Sequence, residues 1–180
     1  MSSYIVLTAV GPDRPGLVDE ISAFLAGRDI NIEDSRMAVL GGEFAVILLG
    51  SGETGVINTL KDNLSPLEKI TGLTMYVKQT HAPHERKVIP SMPHRLAATS
   101  MDHPGIVHEI TRILHKRNIN IQSMDTHVVS APLSGAPIFN MKCVINIPVG
   151  EKLSSLREEL EKLGDRMDID IEIEAVDANR

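Results

Sequence analysis

Two consecutive α+β halves, each ordered βαββαβ around an antiparallel sheet, are what this 180-residue sequence predicts. Three observations carry that expectation. The chain repeats itself at a shift of 89 positions: Asp13-Arg14-Pro15-Gly16 falls on Asp102-His103-Pro104-Gly105, and eleven of the twenty residues from Asp13 to Ile32 match their counterparts. Apolar β-branched runs and helical stripes follow one another in the same order in both halves. A Pro-rich stretch without apolar periodicity separates the two. Only two copies at so long a period indicate a duplicated domain, because solenoids repeat at about 20–50 residues.

In the first half, Tyr4–Val10 has the apolar, β-branched pattern of a buried strand, and Gly11-Pro12-Asp13 turns the chain. Leu17, Ile21, Phe24 and Leu25 recur at helical spacing; Pro15 suits the first turn and Gly27 the stop. Ile30–Leu40 reads as a strand, Gly41-Gly42 as a hairpin turn and Phe44–Leu49 as the returning strand. Val56, Ile57, Leu60 and Leu64 stripe a second helix that Ser65-Pro66 closes, and Leu73–Val77 is the last strand.

The second half repeats the order. Leu96–Met101 is a strand, and Ile106, Val107, Ile110, Ile113 and Leu114 form a helical stripe. Ile119–Val129 and Ile138–Ile147 are strands; Leu153, Leu156, Leu160 and Leu163 stripe a helix with Gly164 as its cap. Ile169, Ile171 and Ile173 alternate with acidic residues, as a half-exposed edge strand requires. Each half is thus the split-βαβ, ferredoxin-like arrangement. The expected division is residues 1–80, a semi-rigid linker at 81–93, and residues 94–180.

The composition, 42% hydrophobic and 23% charged, is globular. Eighteen basic residues against 24 acidic leave −6. Residues 1–80 carry −4 (six basic, ten acidic), residues 94–180 carry −3 (ten basic, thirteen acidic), and the linker +1. Neither half offers the dense basic face that nucleic acid demands, and no Trp, two Tyr and three Phe leave little to stack on bases. A single cysteine, Cys143, excludes an intrachain disulfide and a multi-cysteine zinc site. No apolar run approaches the roughly 18 residues of a membrane span, and Met1-Ser2-Ser3-Tyr4 does not open a secretory signal; the expected location is the cytoplasm.

The residues that could carry chemistry cluster at the two strand-to-helix turns. Asp13 and Asp102 precede Pro-Gly at a helix start, where an aspartate can cap the orphan backbone N–H groups. Both copies also keep a glycine, Gly16 and Gly105, in what reads as a first helical turn, where glycine costs stability. The alternative reading is therefore a ligand close to the backbone, its carboxylate on the helix N-terminus and its ammonium on the aspartate. Asn31 and Asn120 open the second strand of each copy, either as turn residues or as part of a site that a neighbouring chain completes.

His81, His84, Glu85 and His94 have zinc-like spacing, but no second pair converges on them, so neither metal nor cofactor is expected. His103, His108, His115 and His127 fall on a turn, a helix and a strand and need no shared role. There is no nucleophile elbow, phosphate loop, dinucleotide fingerprint, HExxH or basic recognition helix, and Cys143 within Met141–Ile145 reads as a buried thiol. No catalysis is expected.

A βαββαβ repeat with Asp-Arg-Pro-Gly after strand one and Asn-Ile at strand two resembles the ACT family of small-molecule regulatory domains. The longer stretches Thr8–Val18, Asn31–Phe44 and Ala131–Phe139 look like the tandem-ACT glycine cleavage system transcriptional repressor family of bacteria. The resemblance covers nearly all of both halves. It implies an amino-acid sensor, glycine being the plausible ligand, that acts through contact with a protein such as a transcription activator and pairs with its own kind. The other function left open is a regulatory subunit or adaptor of an enzyme of amino-acid or folate metabolism. The ligand would sit between two domains, held by the loop after strand one and by the asparagine opening strand two of a neighbour. That carries over Asp13, Arg14, Pro15, Gly16 and Asn31, then Asp102, His103, Pro104, Gly105 and Asn120. His103 stands where the first copy has Arg14, so the two sites need not be equivalent.

Overall fold

The computed structural model describes residues 2–60, 63–85 and 89–176, which form two compact units. The first contains β1 (Ser2–Pro12), α1 (Leu17–Ala26), β2 (Asn31–Leu40), β3 (Glu43–Glu53), α2 (Thr54–Leu60), α3 (Ser65–Thr71) and β4 (Thr74–Thr80). The second contains β5 (Ser91–Met101), α4 (Ile106–Lys116), β6 (Asn120–Ser130), β7 (Pro137–Pro148), α5 (Leu153–Met167) and β8 (Ile169–Ala175). Their sheets have matching orders, β2-β3-β1-β4 and β6-β7-β5-β8, with antiparallel neighbours throughout. This is the ferredoxin-like α+β architecture the repeat predicts.

Period-two alternation puts Ile5, Leu7 and Ala9 of β1 under the helices, where Leu17, Ile21 and Leu25 of α1 meet them at the helical period. The second unit builds its core the same way, from Leu96 and Ala98 of β5 with Ile106, Ile110 and Ile113 of α4. Gly41 and Gly42 both take positive φ (60° and 85°), as a tight two-residue hairpin between β2 and β3 demands. The edge strands β2 and β6 each carry a bulge at the equivalent place, between Ile32 and Asp34 in β2 and between Ile121 and Ser123 in β6.

Four local readings are corrected. Ser65-Pro66 does not close a long helix. α2 ends at Leu60 and a separate helix, α3, begins at Ser65, with Pro66 in its first turn where the missing N–H is harmless. Pro15 lies outside α1, whose N-cap is Gly16. Gly164 is not a cap: α5 continues to Met167 and ends on Asp168, which adopts φ 55°. Part of the stretch read as linker is strand, since β5 starts at Ser91 and pairs Pro93 with Asn146. Before it, Pro83–Glu85 makes a single 3-10 turn; linker residues 86–88 lie outside the described residues.

Gly164 has a specific packing task. A Cβ at this position would lie 2.5 Å from the carbonyl oxygen of Ile169, so only glycine lets α5 approach the start of β8. Replacing an interior helical glycine by alanine ordinarily gains about 1 kcal/mol. Here Gly164→Ala should instead destabilise the protein by roughly 1–3 kcal/mol, the range for overpacking, as measured by denaturant unfolding.

Candidate functional site

Each strand-to-helix loop is pinned by one backbone hydrogen bond to the neighbouring hairpin: Asp13 N–H to the Gly42 carbonyl at 2.9 Å, and Asp102 N–H to the Pro137 carbonyl at 2.9 Å. The following glycine adopts φ 95° at Gly16 and φ 102° at Gly105, and its carbonyl accepts the first helical N–H, from Glu20 or Glu109, at 2.9 Å. No side chain caps either helix, so neither Asp13 nor Asp102 is an N-cap. The amides of residues 17–19 and 106–108 have no acceptor within their own helices, which makes both helix starts receptive to a carboxylate.

The glycines are explained by backbone conformation. A Cβ at Gly105 would meet nothing within 4 Å, and one at Gly16 would meet only the side-chain ends of Arg14 and Glu20 at 3.7 Å. What an L-residue cannot do cheaply is adopt the left-handed angles that turn the strand into the helix.

The two loops then diverge. Arg14 grips Glu20 with two parallel hydrogen bonds, Nη1 to Oε1 at 2.9 Å and Nη2 to Oε2 at 2.6 Å, and Nη2 also donates to the Ile70 carbonyl of α3 at 2.8 Å. Hydrogen bonding from Arg14 lowers the pKa of Glu20 below the ordinary carboxylate value, and the same bond raises that of Arg14. In the second unit His103 has no acidic partner among the described residues and places Nδ1 3.1 Å from the Pro104 carbonyl oxygen. The equivalent acid, Glu109, accepts instead from Arg112 at 2.7 Å and from Arg166 of α5 at 2.8 Å.

Asn31 does not join the loop of its own unit. The register pairs Asn31 with Ser51 and Ser51 with Tyr4, nine residues from Asp13, so the two stand about 30 Å apart along the sheet at 3.4 Å per residue. Asn31 instead donates Nδ2 to Glu33 Oε1 at 3.1 Å, and the Ser51 hydroxyl donates to the same oxygen at 2.5 Å. These bonds, Ser51's first, hold the Glu33 carboxyl below its ordinary pKa. Asn120 likewise opposes Asn146, which pairs with Pro93 at the far end from Asp102. Asn120 lines an open groove of about 500 Å³ beside α4, together with His108, Arg112, His115 and Ile119.

The other groups considered from the sequence are accounted for locally. His94 is buried, its Nδ1 3.1 Å from the Met92 carbonyl oxygen, and His81 faces Glu85 at 3.7 Å. Among the described residues no three His, Cys, Asp or Glu side chains gather to hold a metal. Cys143 is buried, and desolvation pushes its thiol up to about 11, which keeps it protonated and unreactive. No helix among the described residues is long and apolar enough to cross a membrane.

Two ACT domain profiles match the chain, over residues 3–78 and over residues 94–165. The chain is 27% identical, over 162 residues, to the glycine cleavage system transcriptional repressor of Escherichia coli K12, an alignment covering 89% of this chain and 83% of that one. Its fold is shared with a crystal structure of a protein of unknown function from Galdieria sulphuraria, at TM-score 0.82, 27% identity and coverage of 98% and 99% of the two chains. A second crystal structure, of a candidate glycine cleavage system transcriptional repressor, superposes at TM-score 0.70 with 26% identity and 98% coverage of each chain.

If conformation, not space, requires the two loop glycines, then Gly16→Ala and Gly105→Ala should each cost about 1–2 kcal/mol of stability. Asparagine, although larger, tolerates the left-handed region and should cost less at the same positions. Thermal unfolding of the four variants checks this: a steric requirement would reverse the order.

Proposed function

Because the chain belongs to the ACT domain family, we propose that it is a cytoplasmic, non-enzymatic regulator of the glycine cleavage system that senses a small amino acid, glycine foremost, and acts through protein contacts. The alignment across 89% of the chain with the Escherichia coli repressor is the observation that carries this reading. The geometry of the loops supplies its chemistry. Uncapped helix starts at Leu17 and Ile106 present N–H groups for a carboxylate, and Asp13 and Asp102, released from capping, are available to an ammonium.

The register supports a site shared between domains. Since Asp13 and Asn31 lie at opposite ends of one sheet, an amino acid touching both kinds of residue needs the loop of one domain and the asparagine of another. β2 offers the means of pairing with another chain: it is an edge strand, all ten of its residues are exposed, and Met37, Val39 and Leu40 show more than half of their surface. The signal would then pass to a protein partner such as a transcription activator, a reading that the acidic balance of the sequence, 18 basic residues against 24 acidic, favours over direct contact with DNA.

Calorimetry with glycine and a panel of other amino acids tests the reading. Asp13→Asn and Asp102→Asn remove one charge each without touching a cap, so the melting temperature should hold. Binding at the altered site should weaken by about 1.5–3 kcal/mol, the value of a charged hydrogen bond. Unchanged affinity in both variants would reassign the ammonium to other groups.

A further inference from the structure

The duplication places an acid at the same point of each first helix, Glu20 and Glu109, yet wires it differently. In the second unit Glu109 is held by Arg112 of its own helix and by Arg166 in the last turn of α5, so the loop Asp102–Gly105 takes no part. In the first unit the only guanidinium on Glu20 among the described residues is that of the loop's Arg14. The same guanidinium reaches the Ile70 carbonyl, one of the last of α3, 56 residues away in sequence. One side chain thus straps the loop, the first turn of α1 and the end of α3 together.

The chemistry of this strap is that of carboxylate recognition. A planar guanidinium with two parallel N–H···O bonds is the geometry by which arginine receives a carboxylate, and here the receiver is filled by a residue of the protein itself. The pair is accessible, with 40% of the Arg14 side chain and 27% of the Glu20 side chain exposed, so an incoming carboxylate can exchange with Glu20 without entering the core. Gly16 lies between the two groups in the chain, and a Cβ there would come within 3.7 Å of both.

Resting on the amino-acid-sensing reading above, we propose that Arg14 joins the N–H groups at the start of α1 in receiving the ligand carboxylate of the first module, that Glu20 is its resident competitor, and that ligand exchange at Arg14 releases the strap to the end of α3. The first module therefore couples occupancy of its loop to the α1–α3 surface, where Val18 and Ile70 are exposed. The second module, with His103 in place of the arginine, binds without that coupling.

Titration calorimetry and amide hydrogen exchange on the full chain test this, with glycine as probe and acetate as a carboxylate lacking the ammonium. Glu20→Gln should tighten glycine binding at one site about tenfold, and Arg14→Gln should weaken it there by at least as much. Adding glycine to the parent should speed exchange of amides at residues 70–73, and Arg14→Gln should show that faster exchange without ligand. Acetate should compete at the same site more weakly than glycine binds. If glycine or another amino acid binds the parent and both variants equally, the assignment of Arg14 is overturned while the sensing function stands. If no amino acid binds the parent or Glu20→Gln, both fall together.

Discussion

The antiparallel pairing of β1 with β3, and of β5 with β7, is the constraint from which the rest of this protein follows. Eleven consecutive residue pairs join each set of central strands, and their register decides which loops share an end of the sheet. The strand-to-helix loop is brought to the hairpin at Gly42 or Pro137, while the asparagine opening the next strand is carried to the opposite end. A single copy therefore cannot close a pocket around both. On the proposed function, an amino-acid site built from loop and asparagine would draw its two parts from separate chains, and a ligand held there would favour their pairing.

On that shared backbone the two copies have taken different side-chain chemistry. Arg28 and Arg117 occupy equivalent places after the first helix. Arg28 stacks on the Phe24 ring at 3.5 Å, whereas Arg117 reaches across to α5, donating to Glu159 and the Ser155 carbonyl, and to Glu151 just before that helix. The open faces of the sheets diverge as well. In the first unit Val6 is flanked by Leu49 and Lys78, Thr8 by Ile47 and Tyr76, and Val10 by Ala45 and Thr74. In the second, Arg95, Ala97 and Thr99 are flanked by Lys142 and Asn140 on one side and by Glu174, Glu172 and Asp170 on the other. The fold is duplicated; the surfaces are not.

The fold was legible because it depends on patterns of short range. Period-two and helical stripes located every strand and four of the five helices, and the repeat confirmed each reading in the other copy. α3 was missed because Ser65-Pro66 signals both the end of one helix and the beginning of another, and only the burial of Leu67 beneath the new helix separates the two meanings. The candidate site was legible as a location and not as a mechanism. Asp-x-Pro-Gly marked the loops, and of the two readings open for the aspartates the cap drops out, because a left-handed glycine takes that position itself. The partners of Arg14 were invisible for a different reason: Ile70 is 56 residues distant, and its participation is through a backbone carbonyl, which no residue type announces. Gly164 likewise looked like a terminus because its reason is the backbone of Ile169, brought near only by the completed fold.

The energetic placement of these features suits a sensor. The buried clusters of each unit, from Ile5, Leu7 and Leu25 in one to Leu96, Ile110 and Leu156 in the other, contain no group that the loops need to move. Exposed ion pairs such as Arg14–Glu20 contribute little to stability, because solvent competes for both partners. Exchanging Glu20 for a ligand carboxylate on one guanidinium trades like for like, and its net cost is correspondingly small beside the stability of a folded domain, about 5–15 kcal/mol. A micromolar ligand brings roughly 8 kcal/mol at standard state. Even a modest share of that is enough to redirect the strap while the sheet and its register stay in place. With the loops at the rim and the buried clusters away from them, a few exposed side chains can change partners without repacking the core.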